Sequence, residues 1–122
     1  MQNFKELKVW GKAHQVTLGI YRYSTNFPKE EMYSLTNQLR RASASIPANI
    51  AEGCGRNTKA DLAHFLNISL GSANETEYFL ILANDLKYLS DEQFSVLSSN
   101  INEVKAMLIG LITKVRVKHP DL

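Results

Sequence analysis

A chain of 122 residues, 44% hydrophobic and 21% charged, is long enough for one domain, residues 1–122, and one core, and too short for two. Its single cysteine, Cys54, excludes an internal disulfide. The N-terminal MQNFKELKVW lacks a secretory pattern and the longest apolar runs, Tyr78–Ala83 and Met107–Ile112, fall short of the ~20 residues of a membrane span, so a cytoplasmic chain with no membrane partner is expected.

The net charge of +2 is unevenly spread: residues 1–60 hold nine Lys and Arg against four Asp and Glu, residues 61–113 two against seven. Such polarity suits either a basic face for nucleic acid or subunits attracting one another head to tail.

Helical periodicity runs the length of the chain. A first helix is expected over residues 6–25, where Val9, Ala13, Val16, Ile20 and Tyr23 form one stripe and Trp10, Thr17 and Tyr21 a second beside it. Phe27-Pro28 closes it and opens a second helix over 28–53, because proline suits a first helical turn and Glu30-Glu31 puts acids at the positive end. Met32, Leu35, Leu39, Ala42 and Ile46 continue that helix at three- and four-residue spacing. Pro47 then falls inside it and has no N–H for the carbonyl of Ser43. A kink near Ser43–Pro47 is expected, the freed carbonyl being taken by water or a neighbouring side chain. The pattern resumes at Ile50 and stops at Gly53-Cys54-Gly55, glycine permitting a left-handed terminus.

Thr58-Lys59-Ala60-Asp61 reads as a capping-box variant opening a third helix, 58–89. Its small residues, Ser69, Gly71, Ser72 and Ala73, allow close approach of a neighbouring backbone. Tyr78–Ala83 is apolar around the whole circumference, more than one subunit's bundle can bury, which points to cover from another subunit. Ser90-Asp91-Glu92-Gln93 is a capping box for a fourth helix, 91–118. There Phe94, Leu97, Ile101, Val104, Leu108, Leu111 and Val115 recur at alternating spacing without a miss. Four such helices joined by short turns make an all-α, antiparallel up-down-up-down four-helix bundle, its second helix kinked at Pro47.

Several stretches together resemble the bacterial 23S rRNA intervening-sequence protein family, some of whose members are labelled ribosomal-protein-like. They are Leu7-x-Val9-Trp10, Phe27-Pro28-x-Glu30, Leu35-x-x-Gln38-Leu39-Arg40-Arg41-Ala42, Ser45-Ile46-Pro47-x-Asn49-Ile50-Ala51-Glu52-Gly53, Phe65-Leu66 and Gly71-Ser72-x-x-Glu75-x-Glu77. The resemblance spans Phe4 to about Lys118, and its most specific part is the run with Ser45, Pro47, Asn49, Glu52 and Gly53. It implies a homopentamer of bundles and kinship with the accessory proteins of diversity-generating retroelements, which bind nucleic acid and a reverse transcriptase through a basic surface. Thr76 stands where the family more often has leucine.

Arg40 and Arg41, with Arg56, Lys59, Lys5, Lys8 and Lys12, are the candidates for a basic face toward RNA or DNA. The competing expectation is that one of the two adjacent arginines pairs with Glu75 or Glu77. Lys114, Arg116 and Lys118 read as ordinary complements of a helix C-terminus. Ala44, Ala48 and Ala51, continued by Gly55, form a flat strip that suits another subunit, and Tyr78 and Ile81 join them as interface candidates.

No catalytic constellation is present and no cofactor is expected. Asp61-x-x-His64 is half of a dimetal motif that needs two such pairs and two further Glu, and Asp61 is better used as a cap. His14 lacks a second ligand, Glu75 and Glu77 do not share a helix face, and Cys54 has no histidine base. The expected function is a non-catalytic homo-oligomeric scaffold or adaptor touching RNA or DNA, the alternative being a purely protein-binding assembly module.

Overall fold

The computed structural model describes residues 2–117. A 3₁₀ turn over Phe4–Glu6 precedes α1, Lys8–Ser24, and a second, Lys29–Glu31, precedes α2, Leu35–Cys54; α3, Lys59–Asp85, and α4, Asp91–Val117, follow. There is no strand among the described residues. The fourth helix was expected to reach 118, which lies outside them.

Each helix packs on two neighbours, α1 on α2 and α4, α3 on α2 and α4, and the diagonal pairs do not approach. Residue partners run in opposite directions at each contact. Thr17 meets Ser43 and Ser24 meets Arg40 between α1 and α2, and Ser72 meets Ser45 and Ser69 meets Ile46 between α3 and α2. The fold is the antiparallel four-helix bundle that the periodicity predicts. Its core is one cluster holding Val16, Ile20, Leu39, Ile46, Ile50, Leu66, Leu80, Ile101 and Leu108. Ile112, outside the expected stripe of α4, is also buried. Among the described residues no helix is long and apolar enough to cross a membrane.

Helix ends show where local signals suffice. Ser90 and Gln93 close a reciprocal box at the start of α4, each side chain accepting from the other's backbone N–H at 3.1 Å. Thr58 Oγ1 accepts from the Asp61 N–H at 3.0 Å at the start of α3.

The start of α2 departs from expectation. Pro28 is extended (φ −56°, ψ 142°) and Ser34 is not helical (φ −126°, ψ −102°), so the long helix begins at Leu35 and Met32 stands exposed. The reason is a tertiary pin: the Glu31 carboxylate accepts from Ser34 Oγ at 2.6 Å and from Tyr88 Oη at 2.9 Å, holding the turn apart from the helix. Those two hydrogen bonds keep Glu31 below the ordinary carboxylate range, and donating to Glu31 raises Tyr88.

The end of α2 also differs. No described glycine has positive φ, and Gly55 is right-handed at φ −86°. Gly53 is still helical and buried, and a Cβ there would meet Phe65 Cβ at 3.0 Å and Leu62 Cδ1 at 3.1 Å. It allows α2 and α3 to approach; it does not terminate the helix. The left-handed position is Lys87, φ 66°, between α3 and α4.

Candidate nucleic-acid interface and assembly faces

Pro47 lies within α2 and is buried. The carbonyl of Ser43, which its missing N–H leaves free, accepts from Thr17 Oγ1 of α1 at 3.0 Å, so the neighbouring side chain expected for that carbonyl is a threonine one helix away. Ser69 Oγ of α3 donates to the carbonyl of Ile46 at 2.8 Å, and Ser45 and Ser72 hydroxyls meet at 2.9 Å. Asn49 Nδ2 turns back onto Ser45, donating to its carbonyl at 2.8 Å and its hydroxyl at 2.9 Å. Ser45, Pro47 and Gly53 therefore serve the packing of α2 on its neighbours, while Asn49 braces Ser45 within α2. Glu52 is exposed and pairs with Arg56 at 3.0 Å.

The candidate cations are not gathered on one side. Arg40 is tied to the end of α1: Nε donates to Ser24 Oγ at 2.8 Å, Nη2 lies 3.5 Å from the Tyr21 carbonyl, and the guanidinium sits over the Tyr21 ring at 5.0 Å. Arg41 is exposed beside a groove lined by Asn37, Gln38, Ser45 and Glu75. Neither arginine forms an ion pair among the described residues; Glu77 instead pairs with Lys105 of α4 at 2.7 Å, both half-buried. Arg56 lies over the Phe65 ring at 4.8 Å and Lys59 opens α3. Arg41 is about 20 Å along the helix axis from Cys54, next to which Arg56 stands.

Lys8 and Lys12 belong to another side of the bundle, lining a groove between α1 and α4 with Gln15, Glu103 and Met107. Lys12 Nζ is 2.9 Å from Glu103. Lys5, in the first turn, is near the Phe4 ring at 6.0 Å. The sequence reading missed Arg22, exposed on α1. Its signal was present, since Lys8, Gln15 and Arg22 recur every seven residues and so share a helix face.

The remaining two sides carry little charge. Between α1 and α2 the outward residues include Trp10, His14, Leu18, Tyr21, Ala44, Ala48 and Ala51, with Arg40 over Tyr21 and His14 stacked on Trp10 at 5.1 Å. Ala48 is exposed and Ala44 and Ala51 half-buried; Leu18 and Tyr21 are 41% and 44% exposed. Between α3 and α4 the outward residues include Gly71, Asn74, Tyr78, Ile81, Asp85, Asn102 and Ile109, with Tyr78 and Ile109 56% and 52% exposed. A Cβ at Gly71 or Gly110 would meet nothing within 4 Å. Because α1 contacts α2 and α3 contacts α4 with no diagonal contact, these two faces lie on opposite sides of the bundle. The predicted interface residues thus divide, the alanines onto one face and Tyr78 and Ile81 onto the other.

Chemistry has little to work with. A concavity of about 700 Å³ lies between the start of α3 and the end of α4 and is lined by Thr58, Lys59, Ala60, Ala63, His64, Asn67, Val115 and Arg116. Among the described residues that lining holds no carboxylate and no thiol, and the Thr58 hydroxyl serves the helix cap. Asp61 is exposed, and His64 meets Phe65 edge-on at 5.1 Å. No group of three potential metal ligands occurs among the described residues. Cys54 is buried, which pushes its thiol up, away from the thiolate a nucleophile needs.

A family model described as 23S rRNA-intervening sequence protein matches residues 5–110. Among solved structures the chain is similar to a protein of unknown function from the S23 ribosomal protein family of Bacteroides thetaiotaomicron VPI-5482. The two are 31% identical, with 86% of this chain and 95% of that chain covered and a TM-score of 0.79. No curated protein matches.

Proposed function

The chain belongs to the 23S rRNA-intervening sequence protein family, and from that premise we propose that it is a non-catalytic, homo-oligomeric scaffold whose charged sides contact RNA or DNA. The observation that carries the assembly is the pair of opposed faces with exposed apolar side chains and few charges, Arg40 on one and the Glu77–Lys105 pair on the other. Exposed apolar side chains such as Leu18, Tyr21, Tyr78 and Ile109 lie on faces with few of the charges that keep a surface solvated. The small residues Ala48 and Gly71 let a neighbour approach closely. Two different faces on opposite sides favour head-to-tail contacts, which close into a ring when the rotation per subunit allows. Five copies is the number the family resemblance implies.

Nucleic acid is then left to the two charged sides, between α1 and α4 and between α2 and α3. Size-exclusion chromatography with light scattering tests the assembly. A mass several times 13.8 kDa at micromolar concentration is expected, and Ala48→Arg or Ile109→Glu, both on exposed positions, is expected to reduce it. A wild-type species of 13.8 kDa overturns the proposal. Undetectable binding to RNA and DNA at ~50 mM salt, where phosphate contacts are strong, removes the second half and leaves a protein-binding assembly module.

A further inference from the structure

Building on the reading that this chain contacts nucleic acid, we infer that the contact runs along the α1–α4 side, follows the sugar-phosphate backbone without reading bases, and is attenuated by Glu103. Lys8, Gln15 and Arg22 form a straight row on α1. Fourteen residues at 1.5 Å each make that row about 21 Å long, the length of about six nucleotides of one strand at 3.4 Å each. Lys12 stands beside Lys8, and Lys114 shares the α4 row of Glu103 and Met107 at four- and seven-residue steps. This side therefore holds four cations, Lys8, Lys12, Arg22 and Lys114, against two carboxylates, Glu92 and Glu103. The α2–α3 side holds three, Arg41, Arg56 and Lys59, against Glu52, Asp61 and Glu75, and has no surplus.

A linear row of cations fits a linear polyanion better than a folded acidic protein, whose charge is a local patch. The exposed apolar side chains on this side are Val96 and the partly covered Met107, with no aromatic platform for a base to stack on. Contacts confined to phosphates position a nucleic acid and carry no sequence information. Glu103 acts within this row. Its carboxylate is 2.9 Å from Lys12 Nζ at the middle of the groove, with both side chains partly exposed at 54% and 36%. A phosphate reaches Lys12 only by displacing Glu103, and the displaced carboxylate then repels it.

The test is binding of short labelled RNAs of different sequence to the full chain across a salt series. Glu103→Gln is expected to tighten binding several-fold at ~50 mM salt and to steepen the slope of log K against log salt by about 0.7, one more phosphate contact on a single strand. That gain is expected to shrink in a Lys12→Gln background. Lys8→Gln and Arg22→Gln are expected to weaken binding equally for every sequence. Four outcomes overturn the inference. If Lys8→Gln and Arg22→Gln weaken binding while Glu103→Gln changes neither affinity nor slope, Glu103 attenuates nothing and the inference fails. If only Arg41→Gln weakens it, nucleic acid is bound on the other side. Competition by polyglutamate as strong as by RNA identifies an acidic protein as the partner. No binding by any variant removes the nucleic-acid reading together with the inference.

Discussion

Helices α4 and α2 are of similar apolar spacing but are held in place by different means. In α4 the instructions are local: Ser90 and Gln93 cap it reciprocally, and Leu97, Ile101, Val104 and Leu108 enter the core from a single stripe. In α2 nearly every fixing contact comes from elsewhere in the chain. Its start is held through Tyr88, 57 residues from Glu31; its broken hydrogen bond at Ser43 is completed by Thr17, 26 residues away; its end approaches α3 through Gly53. A helix that supplies its own caps and stripe tolerates changes in its surroundings. One with a proline in its middle depends on them.

That contrast can be broken or sharpened by substitution, most strongly in the core. Leu108→Ala removes a fully buried side chain and is expected to cost about 2–5 kcal/mol by chemical denaturation. Gly53→Ala adds only a methyl group, yet one placed 3.0 Å from Phe65 Cβ and 3.3 Å from the Leu62 carbonyl. The expected loss is about 1–3 kcal/mol, against a gain if the position were an ordinary helical glycine.

Thr17→Val deletes the hydroxyl that serves the Ser43 carbonyl and is expected to cost about 1–3 kcal/mol. In a Pro47→Ala background a backbone N–H becomes available for that carbonyl, so the cost of Thr17→Val is expected to fall; an undiminished cost in the double-mutant cycle would separate the threonine from the proline. Ser90→Ala, which opens the α4 cap, is expected to cost ~1 kcal/mol and to leave α2 unaffected in hydrogen exchange.

The smallest effect is one of pH. Glu31 is lowered by its hydrogen bonds from Ser34 and Tyr88, so its contribution is present above the ordinary carboxylate value and is lost as pH falls through the lower folded value. Glu31→Gln is expected to flatten that acid limb of a stability–pH profile. An unchanged profile would mean that the turn before α2 does not depend on this carboxylate.

The same contrast explains how much was legible in advance. The four helices, the α4 stripe and the caps at Thr58 and Ser90 could be read because each rests on residues within a few positions of one another. The need for a donor at Ser43 was also visible, since proline lacks an N–H, but Thr17 as that donor was not. Arg40 looked like a free cation and is held by Tyr21 and Ser24, while Arg22, exposed on α1, went unnoticed despite its seven-residue relation to Lys8 and Gln15. The expected second-helix start at Pro28 failed because Tyr88, far along the chain, pins Glu31.

By itself the sequence determined the all-α class, the number of helices and their order, because periodicity, capping and proline chemistry act over one or two turns. Only the tertiary structure decided which sides of the bundle carry charge, which arginine is free, and that the alanine strip and Tyr78 face opposite ways. Those outcomes depend on the register between helices. Register is set by contacts such as Thr17–Ser43 and Ser45–Ser72, whose partners are too far apart in the chain for any local rule to pair.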